Sequence, residues 1–275
     1  MNKDEVYYHY CSIQTMMSII ETQTLRLSNV FKSNDSMEYI LFGELMKQYA
    51  GTLQTDSARI QDAANEIVTL FSKTNGAEYI PYISCFSSLE DSLGQWRGYG
   101  DDGYGVAIGF DFCYIRKRIG ELSRDGRTDI YFTRVEYNDR EQEKYVGRIF
   151  HALLPYYIFP DKKRNGQTGQ LRLAATYASR FKLDDFEQEQ EYRIVLLHNK
   201  QVDEKDLKYG HYLKNHNICQ YYELSIDISK AIKKIVIGPK CKLFESGETD
   251  YDLECYLRVH NLNGIQIEKS KIPYR

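Results

Sequence analysis

The order of strand-like and helix-like segments constrains this chain most, because its strands do not alternate strictly with helices. Val6 to Tyr10 reads as a short strand. Ser12 then precedes Ile13, Met16, Met17 and Ile20, an i, i+3, i+4, i+7 stripe that begins at a capping residue and marks a helix. Leu25 to Val30 reads as extended. Two helical stripes follow, one starting at Ser36 and running through Met37, Ile40, Leu41 and Leu45, the other through Ile60, Ala64, Ile67 and Phe71. From Tyr79 the pattern changes, since Tyr79 to Phe86, Gly105 to Phe110 and Ile130 to Tyr137 are rich in aromatic and β-branched residues. Pro81 has no N–H to give a ladder, which puts its strand at an edge or near a bulge. Helices are expected at Tyr145 to Leu154 and Gly169 to Phe181. Strands are expected at Glu191 to Leu197, Tyr221 to Ile226, Ile232 to Ile237 and Ile265 to Ile267, with a helix near Leu253 to His260. A doubly wound parallel sheet needs regular alternation, so the order predicts a largely antiparallel α+β architecture.

At 275 residues the chain can bury a sizeable core, and we expect one α+β domain over residues 1–275 with a helical insertion around 140–185. Lys plus Arg (36) nearly balance Asp plus Glu (39), so a net charge of -3 offers no global attraction to nucleic acid or to an acidic membrane. Six widely spaced cysteines suit reduced thiols in the cytoplasm. Met1 to Tyr10 carries acids where a signal peptide needs bases, and no apolar run approaches a membrane span, so no membrane partner is expected. Tyrosine is the oddity of composition, with 24 Tyr against 12 Phe and one Trp. A phenol covers apolar surface and also hydrogen-bonds, which suits strand faces and half-wet clefts alike.

Gly98-Tyr99-Gly100-Asp101-Asp102-Gly103 has dinucleotide-fingerprint spacing but precedes a strand and leads into no helix, so nothing would aim a helix N-terminus at a pyrophosphate. His211 and His216 stand apart from acids and thiols, and no metal is expected. The loop-like stretch Asp161 to Gly166 carries three bases and reads as a solvated connection. Three polar clusters sit at the edges of apolar strands. In Tyr8-His9-Tyr10-Cys11-Ser12, period two sets His9 opposite Tyr8 and Tyr10. Asn34, Asp35 and Glu38 crowd a strand-to-helix junction. In Phe186 to Val195, extended geometry would put Glu189, Glu191 and Arg193 on one face, where Arg193 either balances the carboxylates or orients one towards a ligand. Between them, Ser84-Cys85-Phe86-Ser87 and Gly105 to Phe110 read as strands flanking an aromatic, glycine-rich turn around Trp96 and Tyr99.

Taken in order, these pieces resemble a large bacterial family known as domain of unknown function 2971. The resemblance lies in Tyr8 to Ser12, Asn34 to Glu38, Ser84 to Ser87, Trp96 to Tyr99 with Gly105 to Phe110, Glu189 to Arg193, and Ile235 to Pro239. Ser36 and Met37 stand where that family usually has Pro and Phe. A more distant resemblance is to ADP-ribosyltransferases. His9 to Ser12 with the strand Leu25-Arg26-Leu27-Ser28 looks like their first element, and Glu189-Gln190-Glu191 looks like their last.

That second resemblance implies a split sheet or half-barrel with peripheral helices, NAD as substrate, and transfer of ADP-ribose to a protein or nucleic acid in bacterial toxin or anti-phage defence. An antitoxin or other regulatory partner would then restrain it. Nicotinamide leaves NAD as a neutral base, so the departure needs no general acid. A carboxylate at the ribose hydroxyl would support the oxocarbenium-like sugar, a histidine would hold the other ribose, and aromatic rings would sandwich nicotinamide. The resemblance implies Glu191 as that carboxylate with Glu189 beside it, His9 and Tyr10 as ribose and ring contacts, and Arg193 orienting Glu191. Tyr39, Trp96 or Tyr99 would stack, and Ser28 and Asn34 complete the binding set. An NAD glycohydrolase is the nearest variant. A non-catalytic module that senses a nucleotide or a partner, and a metal-free nuclease or hydrolase using His9, are the contrasting classes.

Overall fold

The computed structural model describes residues 5–32, 36–72, 78–124, 128–159, 166–199, 208–214, 216–245 and 247–274. The chain opens with β1 (Val6–Cys11), α1 (Ile13–Thr22) and β2 (Thr24–Asn29). α1 starts at its expected cap, with the Thr15 backbone N–H donating to the Ser12 hydroxyl at 3.2 Å. Helices α2 (Ser36–Gly51) and α3 (Ala58–Ser72) follow, and the long strand β3 (Tyr79–Ser87) comes next.

The segment expected as an aromatic turn holds a short helix, α4 (Leu93–Gly98), before β4 (Val106–Asp111). β4 runs straight into α5 (Phe112–Ser123), a helix that the strand-like Gly105 to Phe110 pattern hides. Its own signature is legible afterwards: the Tyr114 N–H donates to the Asp111 carboxylate at 3.1 Å, and Phe112, Ile115 and Ile119 bury one stripe. β5 (Ile130–Arg134), α6 (Asp139–Ile158) and α7 (Gln167–Ala178) lead to β6 (Glu191–Asn199). The hairpin β7 (Tyr209–Lys214) and β8 (Asn217–Ser225) follows, and β7 had no clear sequence signal. The chain continues through α8 (Ile228–Ala231), β9 (Ile232–Ile237), β10 (Phe244–Glu245) and β11 (Glu248–Thr249). It ends in α9 (Tyr251–Val259) and β12 (Gln266–Lys269). The loop-like residues 161–165 lie outside the described residues.

Among the described residues ten strands form one open sheet, and every pairing in it is antiparallel except β9 with β12. The main path runs β12-β9-β4-β1-β3-β2-β8-β7, with β6 and then β5 branching from β3. β3 is therefore the junction. β6 pairs with it from Tyr79↔Asn199 to Ser87↔Glu191 along one flank. The other flank is shared by β1, at Tyr8↔Ser87, and β2, at Ser28↔Ile83 and Asn29↔Tyr82. Pro81 does not lie on an edge strand as expected; it is tolerated because the β2 ladder stops at Tyr82, one residue short of it. Since β1 and β2 are both antiparallel to β3, they run the same way and need the crossover that α1 supplies.

Both sheet faces are covered. Tyr82, Phe86, Ile194 and Leu196 alternate onto one face, with residues of α1, α5 and α9. Ile83, Val195 and Leu197 alternate onto the other, under α2, α3, α6 and α7. Many tyrosines serve this packing, as Tyr7, Tyr79, Tyr82 and Tyr222 are buried. None of the described helices is long and apolar enough to cross a membrane.

One glycine shows how tightly β1 and β4 meet. A Cβ on Gly105 would overlap the Cys11 carbonyl oxygen and lie 2.9 Å from the Gly100 carbonyl oxygen, and neither backbone atom can yield. Gly105→Ala is expected to cost about 2–3 kcal/mol and to lower Tm by roughly 5–10 °C. Thermal unfolding followed by circular dichroism checks this; an unchanged midpoint would contradict the packing described.

Candidate functional site

The sheet parts where β1 and β2 divide one flank of β3. Ser84, Cys85 and Phe86 lie between the two points of attachment, with no strand among the described residues on that flank. The backbone groups freed there need other partners. One is His9, whose Nδ1 lies 2.8 Å from the Cys85 carbonyl oxygen. A carbonyl only accepts, so Nδ1 carries the proton and Nε2 is left as an acceptor in the neutral ring. Burial holds the imidazole below its ordinary pKa, against the opposing pull of the Cys85 carbonyl.

Two cavities meet at His9. The larger, about 620 Å³, is walled by Ser28 and Arg26 from β2, Thr15 and Ser18 from α1, and Tyr212 from β7. The smaller, about 60 Å³, is lined by Tyr10, Phe86, Gln95, Glu189 and Glu191. His9, Cys85 and Tyr99 line both. The larger volume falls in the range of small-molecule sites, roughly 300–1,000 Å³. The smaller has room for a few waters or a small polar group.

The late acidic motif is not one extended run. Asp184–Glu189 forms a 3-10 turn and Gln190 is left-handed (φ 45°), so Glu189 is not carried on the strand with Glu191 and Arg193 as expected. The Ser87 hydroxyl donates to the Glu189 carbonyl at 2.7 Å, which ties the Cys-Phe-Ser strand to this turn. Both carboxylates converge on Lys182, whose Nζ lies 2.6 Å from Glu189 and 2.9 Å from Glu191. Arg193 grips Glu191 from Nε at 2.6 Å and Nη2 at 3.0 Å, while its Nη1 donates to the Ser179 carbonyl at 2.9 Å. Two cations and two anions thus balance inside the protein. Burial pushes the Glu191 carboxyl up, but Arg193 and Lys182 outweigh it and bring the group down to about 2.

Of the residues singled out from sequence, the fold brings His9, Tyr10, Tyr99, Glu189 and Glu191 to the smaller cavity and Ser28 to the larger one. Arg193 sits behind Glu191, wholly buried. Trp96 does not present a face to a ligand: it is wholly buried, donates from Nε1 to Asp91 at 2.7 Å, and lies edge-on to Tyr10 at 4.8 Å. It supports Tyr10, whose hydroxyl donates to the Leu89 carbonyl at 2.8 Å. Asn34 lies outside the described residues, and of Tyr39 only its place in α2 is described. Lys182 was missed because a single lysine in the connection after α7 carries no local signal. Gln95, inside α4, and Tyr212, inside β7, likewise stand in no motif. Among the described residues no group of three or more His, Cys, Asp or Glu can hold a metal ion.

Residues 95–194 match the model of a family described as protein of unknown function (DUF2971). The match supports the resemblance read from the motifs, and it takes in Tyr99, Lys182, Glu189, Glu191 and Arg193 while leaving out His9 and Ser28. No curated protein and no solved structure matches the chain.

The depressed Glu191 carboxyl makes a prediction about stability. Between its folded value of about 2 and its ordinary 4.5, the unfolded chain takes up a proton that the folded chain refuses. The stabilisation is whole above pH 4.5 and is lost as pH falls towards 2. The Tm difference between wild type and Glu191→Gln should therefore be widest above pH 4.5 and narrow below it, as calorimetry across this range can measure. A difference independent of pH would contradict the ion-pair geometry.

Proposed function

We propose that the chain is an NAD-consuming enzyme of the ADP-ribosyltransferase kind, cleaving the nicotinamide–ribose bond and passing ADP-ribose to a macromolecule or to water. One observation carries this reading: His9 on the first strand and the Glu189/Glu191 pair, far apart in sequence, line one cavity where the sheet splits. The parted, largely antiparallel sheet with α1 beside the opening also supports the likeness to that class. In the reaction the C1′–N bond breaks and its electron pair leaves with nicotinamide, now neutral. The acceptor's oxygen or nitrogen bonds C1′ and gives up its proton to solvent. A carboxylate of the pair accepts a hydrogen bond from a ribose hydroxyl and supports the cationic sugar. Neutral His9, with Nε2 as acceptor, holds a second hydroxyl. Tyr99, exposed and shared by both cavities, stacks on the nicotinamide ring.

A protein or nucleic-acid acceptor, a role in toxin action or anti-phage defence, and a restraining partner belong to this proposal through the resemblance alone. A cytoplasmic setting suits the six free thiols. The full ion pairing of Glu191 favours a second reading, a module that binds a nucleotide without cleaving it.

Purified protein incubated with NAD should release nicotinamide, detected by chromatography. His9→Ala should lower kcat/KM by about 10–100-fold, the loss of one positioned hydrogen bond in a partly buried site. Binding without release would select the sensing module. Absence of binding at millimolar NAD would remove both readings.

A further inference from the structure

Hydrogen-bonding capacity separates two carboxylates that the sequence sets side by side. Each oxygen of an ionised carboxylate accepts about two hydrogen bonds. Glu191 gives most of its capacity to cations: Oε1 takes Arg193 Nε, Oε2 takes both Arg193 Nη2 and Lys182 Nζ, and the Cys85 side chain adds a further hydrogen bond. Arg193 is wholly buried, and the Lys182 and Glu191 side chains are 4% and 6% exposed. For Glu191 to turn towards a ligand, a buried cation must lose its partner, which is strongly unfavourable. Glu189 is placed differently. Its Oε2 is fixed by Lys182 at 2.6 Å, its carbonyl by Ser87 at 2.7 Å, and its side chain is 14% exposed. Among the described residues its Oε1 receives only a long contact, 3.3 Å, from the hydroxyl of Tyr99. Lys182 is itself covered by the Phe186 ring at 5.1 Å.

We infer that Lys182 is a positioning residue that divides the labour: with Arg193 it locks Glu191 into a buried strut, and it leaves Glu189, through Oε1 beside Tyr99, to meet the ligand's hydroxyl. The inference rests on the NAD reading for the identity of that hydroxyl, and on geometry alone for the division. It reverses the order implied by the resemblance, in which Glu191 is the acting carboxylate.

The test compares Glu189→Gln, Glu191→Gln, Lys182→Met and Lys182→Arg in the full chain, reading Tm together with kcat and KM for nicotinamide release. Glu189→Gln is expected to lower kcat at least 100-fold and to lower Tm by less than Glu191→Gln does, because Lys182 keeps Glu191 as a partner. Glu191→Gln is expected to lower Tm by about 10 °C. Lys182→Met should lower kcat at least 10-fold with KM within about twofold, and Lys182→Arg should restore most of it. The division is overturned if Glu189→Gln loses less than threefold in kcat, or if Glu191→Gln leaves Tm unchanged. The Tm comparison needs no substrate. Should the wild type release no nicotinamide, the NAD reading falls, while the division still stands or falls on which of the two variants is the more destabilised.

Discussion

The flank of β3 that two strands share is the constraint from which the rest of this structure follows. A strand has two edges, and β6 occupies one of them over its full length. β1 and β2 can attach to the other only at different levels, and three residues of β3 are left with no strand neighbour between them. In a closed sheet those backbone groups would be paired and the interior would be filled by side chains. Here the gap is a cavity, and the polar groups at its edge come from β1, β2, α1 and the turn before β6.

A second constraint is charge. A buried carboxylate survives only with partners, and Glu191 has two cations where one would neutralise it. The surplus is taken up by Glu189, so Lys182 joins the turn to the strand and the quartet is neutral as a whole. Because Ser87 at the end of β3 holds the Glu189 carbonyl, the quartet is anchored to the strand that creates the cavity. Trp96 and Asp91 play the corresponding part on the opposite wall, bracing Tyr10 from behind, and Ser270 in the chain's last stretch donates to the same Asp91 carboxylate at 2.7 Å.

Local patterns made much of the architecture legible. The α1 stripe with Ser12 at its start, the aromatic strand through Tyr82 and Phe86, and the alternation in Glu191 to Leu197 all report burial on one face, and burial is what periodicity measures. The patterns that misled were those in which one residue served two elements. Asp111 ends β4 and caps α5, so the helix was hidden behind the strand. The run from Phe186 to Glu191 is polar after its first residue, and polarity does not distinguish an extended chain from a 3-10 turn. Pro81 was read as marking an edge or a bulge because its missing N–H is local, whereas the length of the β2 ladder that makes it harmless is not.

The sequence by itself determined the α+β class, the antiparallel bias, and the short list of polar residues that includes His9, Tyr99, Glu189 and Glu191, because side-chain chemistry and hydrophobic period are properties of a segment. Only the tertiary structure decided that His9 and the late carboxylates border one cavity, that Trp96 is a brace, and that Lys182 stands between the two glutamates. Those facts depend on which strand edges meet and on how many donors reach each buried oxygen. Both are set by contacts between residues distant in the chain, and no window of sequence contains them.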